Sequence, residues 1–167
     1  MPEKKTRQAA ARAKREGKSP GTQAGEFVKE EIEHVREGKH GAKSAKQAIA
    51  IGLSKARRAG VDAKPSKSAS KATRKKAEQD VEAGKARKKP SSTRSKAAKK
   101  ALKTASRGTT AKKAVGKNAL SKQARKAAAK RTSGDRSAAA KKAARTKGAA
   151  GRKAAAKKAA RTRKRSA

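Results

Sequence analysis

Lys153, Lys157, Lys158 and Arg161 stand at i, i+4, i+5 and i+8, so a helix over them carries all four toward one side. A cationic stripe of that kind can follow a phosphate backbone. Its chemistry is charge neutralisation, with no bond made or broken. Lys141, Lys142 and Arg145 belong to a second copy, because AAAKKAART occurs at 138–146 and again at 154–162. Looser versions are KAAKKA at 96–101 and AAAKRT at 127–132. These basic residues are the first candidates for binding a polyanion. No aromatic residues lie between them to stack on bases.

A second candidate is the loop Gly38-Lys39-His40-Gly41-Ala42-Lys43-Ser44, which opens a helix. Helix N-terminal amides beside Lys39 and Lys43 suit a phosphate, although the spacing is not that of a nucleotide-binding phosphate loop and no strand precedes it. Lys55, Arg57 and Arg58, in the last turn of the following helix, extend the list of nucleic-acid contacts. Glu31 and His34 form an E-x-x-H pair, with Glu30, Glu37 and His40 nearby. Carboxylate metal centres use that i, i+3 pair in two copies within a four-helix core. One copy is present here, so the expectation is an exposed acidic face that pairs with neighbouring Lys and Arg, and no metal or cofactor. His34 and His40 are the only histidines and there is no cysteine, so no nucleophile–histidine arrangement can be assembled and no enzyme is expected.

Composition points the same way. The chain has 167 residues, 52 of them Lys or Arg and 12 Asp or Glu, for a formal net charge of +40. The natural counter-surface of such a chain is a nucleic acid, DNA first and RNA second. Phe27 is the one aromatic residue, and most of the apolar residues are Ala. Charge and bulk are unevenly placed. Residues 1–62 hold 15 Lys or Arg and 8 acids, whereas residues 63–167 hold 37 and 4. The net +33 of the second part matches about 33 phosphates, or roughly 17 base pairs of duplex. No apolar run approaches the ~20 residues that span a bilayer, and MPEKKTRQ is not a secretory signal. The expected location is the cytoplasm, at the nucleoid, with no membrane partner.

Two helices must position the loop. The first is predicted over Thr22–Glu37, with Thr22 as N-cap, Gly38 as stop, and Ala24, Phe27, Val28, Ile32 and Val35 as its inner stripe. The second is predicted over Ala45–Ala59. Ser44 and Gln47 would form a capping box, and Gly60 and Val61 a Schellman ending onto Ala56. Gly52 lets the helices approach closely, and Ile51, off the inner stripe, suggests self-association through the hairpin. The six-residue connection makes the two helices antiparallel neighbours. So little bulk in the remainder predicts disorder there, with like charges such as Lys153 and Lys157 opposing helix until a polyanion neutralises them. Pro65, Gly84, Pro90, Gly108, Gly116, Gly134, Gly148 and Gly151 would cut it into short segments. The fold class expected is a small all-α helical hairpin followed by a long, mostly disordered, basic low-complexity tail, helical in part when bound. The divisions are a basic arm over 1–19, which needs no packed partner, the hairpin over 20–62, and the Lys/Ala/Arg-rich tail over 63–167.

The stretch EFVKEEIEHVREGKHGAKSAKQAIAIGLSKARRAGV, and KQAIAIGLSKARRAG at Lys46–Gly60 above all, resembles a small bacterial domain of unknown function found in proteins often labelled DNA-binding. The resemblance implies a bacterial source and carries no catalytic residue. The Lys/Ala-rich remainder is similar to the tails of bacterial histone H1-like proteins. The function expected is DNA binding without sequence preference, in which the basic tail neutralises and condenses DNA. Two alternatives stand beside it: an RNA- or ribosome-associated protein, and a hairpin that docks a protein partner while the tail acts as a tether.

Overall fold

The computed structural model describes residues 2–66, 68–86, 91–105 and 108–166. Among them are eight helices and no strand: α1 (Lys4–Arg15), α2 (Pro20–Arg36), α3 (Ala45–Arg58), α4 (Lys71–Lys85), α5 (Ser92–Ala105), α6 (Ala111–Val115), α7 (Lys117–Ala129) and α8 (Ser133–Ser166). They fall into two compact units, residues 1–123 and 124–167.

The first unit is built on the hairpin of α2 and α3. Helix α2 starts earlier than expected. Pro20 occupies the first helical position, where its missing N–H costs nothing, and Ser19 is the cap, accepting from the Thr22 amide at 3.4 Å. Helix α3 starts as expected, with the Gln47 amide donating to Ser44 Oγ. The Gln47 side chain reaches back one residue further than a capping box does, accepting from the Lys43 amide at 2.8 Å. Both helices end in Schellman geometry. Gly38 and Gly60 take φ of +72° and +88°. Lys39 and Val61 then donate back to the carbonyls of His34 and Ala56 at 2.9 and 3.0 Å.

Gly52 sets how closely the pair packs, because a Cβ there would lie 2.7 Å from Val28 Cα on α2. Ala24, Phe27 and Ala56 share one buried cluster and Val35, Ala42 and Ala48 another, as two helices running in opposite directions require. Phe27 is the largest buried side chain, and its burial contributes about 2–3 kcal/mol.

The hairpin does not stand alone. The residues expected to be an unpartnered arm form α1, which packs on α2 and buries Thr6, Ala10 and Ala13. Helix α4 packs on the end of α3. Gly84 permits this, since a Cβ there would lie 2.6 Å from the Arg58 carbonyl oxygen. The short α6 closes the second cluster with Ala114 and Val115, and the Val115 carbonyl accepts from the Arg36 guanidinium at 3.3 Å. The core of the hairpin is therefore completed by segments from both sides of it.

The expected disordered tail is corrected by α4–α8, which carry helix through most of residues 71–166. The reason is a balance of small terms. A like-charge pair at i, i+4 on an exposed helix costs only about 0.2–0.5 kcal/mol. Ala and Lys are among the best helix formers, and a Ser or Thr N-cap is worth about 1 kcal/mol. Such caps recur. Ser70, Ser91 and Thr110 accept from the amides three residues on. Thr132 and Asp135 cap each other reciprocally, the Asp135 amide donating to Thr132 Oγ1 and the Thr132 amide to Asp135 Oδ2. The second unit consists of the end of α7 and α8, and α8 buries none of its described residues. Gly148, at φ 64° and ψ 178°, divides α8 into two helical runs. Of the other expected breakers, Gly116 ends α6, whereas Gly84, Gly134 and Gly151 lie inside helices. Pro90 falls outside the described residues.

Candidate nucleic-acid interface

The seven cations of the repeat all lie on α8, four after Gly148 and three before it. Lys141, Lys142, Arg145, Lys153, Lys157, Lys158 and Arg161 are every one exposed. The sequence has no Asp or Glu after Asp135, so residues 136–167 contain no acidic side chain to pair with them. Asp135 itself sits in the first turn of α8, where the helix dipole favours it and Thr132 hydrogen-bonds it at 2.8 Å. Each run of α8 thus presents a fixed cationic surface, with Ala between the charges. The two runs are about 22 and 27 Å long at 1.5 Å per residue.

The cations of the hairpin are placed quite differently. Arg57 is buried, and its Nε donates to the Ala63 carbonyl at 2.8 Å. Arg58 donates from Nε and one terminal nitrogen to Asp80 Oδ1 at 3.2 and 3.1 Å. Lys76, one turn before Asp80 on α4, reaches the same oxygen at 3.0 Å. Burial of Asp80 pushes its carboxyl upward, but hydrogen bonds from Lys76, Ser54 and Arg58 outweigh that and hold it below its ordinary value. Lys55 is held 2.5 Å from Glu31 Oε2. These three expected nucleic-acid contacts therefore tie α3 to α2, to α4 and to the chain after α3. Arg57 is buried and Lys55 largely so, whereas Arg58 stays half-exposed.

In the loop, Lys43 is exposed, whereas Lys39 is shared between Glu37 at 2.9 Å and Glu3 at 3.4 Å. Those partners raise the Lys39 ammonium above its usual value, the Glu37 hydrogen bond most of all. The first amides of α3 are also partly engaged, since Gln47 N–H goes to Ser44. What the loop does form is one wall of a cleft of about 530 Å³, opposite Lys99, Lys100 and Lys103 of α5. Sequence reasoning missed that cleft. KAAKKA at 96–101 was its only trace, and nothing local indicated which loop α5 would face.

The expected exposed acidic face is corrected in part: Glu37 is exposed and pairs with Lys39, but the side that holds Glu30 and Glu31 is covered. Glu30 and Glu31 are buried, at 4% and 0% exposure, because α1 and the 38–43 loop cover that side of α2. The Glu31 oxygens lie 2.8 Å from His40 Nε2 and 2.5 Å from Lys55 Nζ, yet neither contact has hydrogen-bond geometry. Glu3, before α1, reaches His34 Nε2 at 3.0 Å, and the His34 and Lys39 hydrogen bonds hold its carboxyl below the usual value. Two kinds of site result: an exposed cationic helix, and a buried cluster that joins acids to imidazoles.

Comparison with protein-family models, with curated proteins and with solved structures finds no match to this chain.

Proposed function

We propose that the chain binds DNA without sequence preference, neutralising and condensing it at the bacterial nucleoid in the manner of a histone H1-like protein. The observation that carries this reading is the exposure of all seven repeat cations on α8, in a stretch with no competing acidic side chain. Helix α8 holds thirteen Lys or Arg against Asp135 alone. Its net charge matches about twelve phosphates, whereas its two runs together span about 50 Å of duplex and so about 30 phosphates. One molecule leaves most of that charge uncompensated. Condensation then needs many chains along the duplex, or the two runs on either side of Gly148 lying on separate phosphate tracks.

A preformed helix makes this binding cheaper in entropy than a disordered chain would, because the cations are already spaced before contact. The driving force is counterion release, which depends on salt and is indifferent to base sequence. The test is a salt titration of affinity for two unrelated DNA duplexes, single-stranded DNA and duplex RNA. The expected result is a steep linear fall of log K with log salt, with one slope for both duplexes. Affinity that survives high salt, or that differs tenfold between the duplexes, would refute it. Preference for duplex RNA over DNA would transfer the same helix to an RNA partner.

A further inference from the structure

The chain has two histidines and twelve acids. Both histidines and three of those acids, Glu3, Glu30 and Glu31, meet at one place. It lies where α2, the 38–43 loop and the segment before α1 come together. Lys39 and Lys55 are the cations beside them, so with neutral imidazoles the cluster carries a negative charge inside a chain of net +40. One donor atom each from Glu31, His34 and His40 lies within 4.8 Å of the other two, and Glu3, Glu30 and His34 form an adjoining group by the same measure. The two imidazoles meet edge to face, 5.9 Å between centroids.

Two observations point to a cation at this place. The first is the tautomer of His40. Its Nδ1 lies 3.3 Å from the Gly41 carbonyl oxygen, which can only accept, so Nδ1 carries the hydrogen. In the neutral ring Nε2 then presents a lone pair, and it faces Glu31 Oε1 at 2.8 Å. Facing lone pairs require positive charge between them, a proton or a metal ion, and the two compete for this place. A backbone carbonyl behind the far nitrogen is also the arrangement that orients metal-binding histidines. The second is the state of the carboxylates. Both oxygens of fully buried Glu31, and Oε2 of buried Glu30, accept no hydrogen bond.

We propose that Glu31, His34 and His40 bind a divalent first-row transition ion, with Zn²⁺ the best fit and Glu3 as the fourth ligand. Imidazole and carboxylate suit Zn²⁺. A tetrahedral Zn²⁺ holds its donors at about 2.0–2.1 Å, which places them about 3.3 Å apart, so no pair among Glu31, His34 and His40 has to close by more than about 1.5 Å. Side-chain rotation supplies that, since His34 and His40 are partly exposed and Glu3 is at the surface. The Lys55 ammonium is the resident competitor at Glu31 and yields its contact to the ion. The bound ion would staple the loop and the segment before α1 onto α2.

The test uses the untagged full chain and Co²⁺ as a spectroscopic probe, with Zn²⁺ in competition. Expected are one Co²⁺ per chain with the visible absorption of tetrahedral coordination, its displacement by one equivalent of Zn²⁺, and Zn²⁺-induced shifts of both imidazole signals by NMR. His34→Ala and His40→Ala should each weaken binding at least about tenfold, the lower end for losing even a supporting group of a metal site. Lys55→Met should tighten it, which an adventitious surface site would not do. His40→Gln and far-UV circular dichroism separate loss of a ligand from loss of fold. Absence of the tetrahedral spectrum, imidazole signals that do not move in the unsubstituted chain, or affinity indifferent to Lys55→Met would each overturn the proposal.

Discussion

Converting Lys141, Lys142, Arg145, Lys153, Lys157, Lys158 and Arg161 of α8 together to Gln should remove most of the DNA affinity while leaving the fold in place. A helix lying along a duplex turns about half its circumference toward the phosphates, so about four of the seven make contact. Each contact contributes about 0.9 to the slope of log K against log salt, so the slope should become shallower by about 3.6. At about 0.15 M monovalent salt that corresponds to about three powers of ten in affinity, or about 4 kcal/mol. Gln is nearly as good a helix former as Lys, and the substitutions relieve repulsion such as that between Lys153 and Lys157. Helix content should therefore hold or rise. The assay is fluorescence anisotropy of a labelled duplex over a salt series, with circular dichroism on the same samples. A slope within about one unit of the parent's would show that α8 is not the contact surface, because counterion release scales with the phosphates neutralised.

Lys55→Gln with Arg58→Gln provides the contrast. Each removes one of several partners of a buried carboxylate, since Lys76 still reaches Asp80 and His40 still faces Glu31. Together they should cost about 1–3 kcal/mol in urea unfolding, with the salt slope of DNA binding unchanged. Gly52→Val should destabilise by about 1–3 kcal/mol, because the added carbons meet Val28 backbone that cannot move without parting α2 from α3. For Asp80, whose folded carboxyl titrates below its ordinary value, stability is fully present above the unfolded value of about 3.9 and is lost as pH falls through the lower folded value. Asp80→Asn should remove that part of the acid limb in pH-dependent thermal melts. Gly148→Ala cannot hold φ of +64° without strain, so it should favour one continuous helix, raising ellipticity without changing the number of cations.

The hairpin was legible because its signals are local. Ser44, Gly38 and Gly60 mark ends by hydrogen bonds that reach no more than five residues, and Gly52 stands in the middle of an apolar stripe. The cap falls on Ser19 and not on Thr22 because Pro20, with no N–H to lose, starts a helix at its first position. The partners of the hairpin were not legible. Helices α1, α4 and α6 bury mostly Ala, and Ala on a buried face reads the same as Ala on a solvated Lys/Ala helix. Val115 was the one bulky residue of α6, and its contact with Val35 lies eighty residues back along the chain. Burial of Glu30 and Glu31 followed from α1, so once α1 was read as an unpartnered arm the acidic face had to look exposed. The helicity of α8 was misjudged through weighting: like-charge repulsion was set above alanine propensity, though the two are of similar size per residue and the caps tip the sum.

The placement of the acids bears on both readings. A carboxylate within α8 would be an intramolecular rival that phosphate must displace at each contact, lowering affinity by about the strength of an exposed pair, 0.2–1 kcal/mol. The chain avoids that rivalry by position. Eight of its twelve acids precede Ala63 and three more lie on α4. There Glu30, Glu31 and Asp80 are buried against cations of the same unit. The twelfth, Asp135, is engaged by Thr132 at the start of α8, where it supports the helix instead of neutralising it. Added salt should therefore act in opposite directions on the two functions of α8. It screens the repulsion between its cations and so favours the helix, while it weakens the grip of that helix on DNA. Buried pairs such as Lys55 with Glu31 are screened far less, so the first unit should keep its stability over the salt range in which DNA is released.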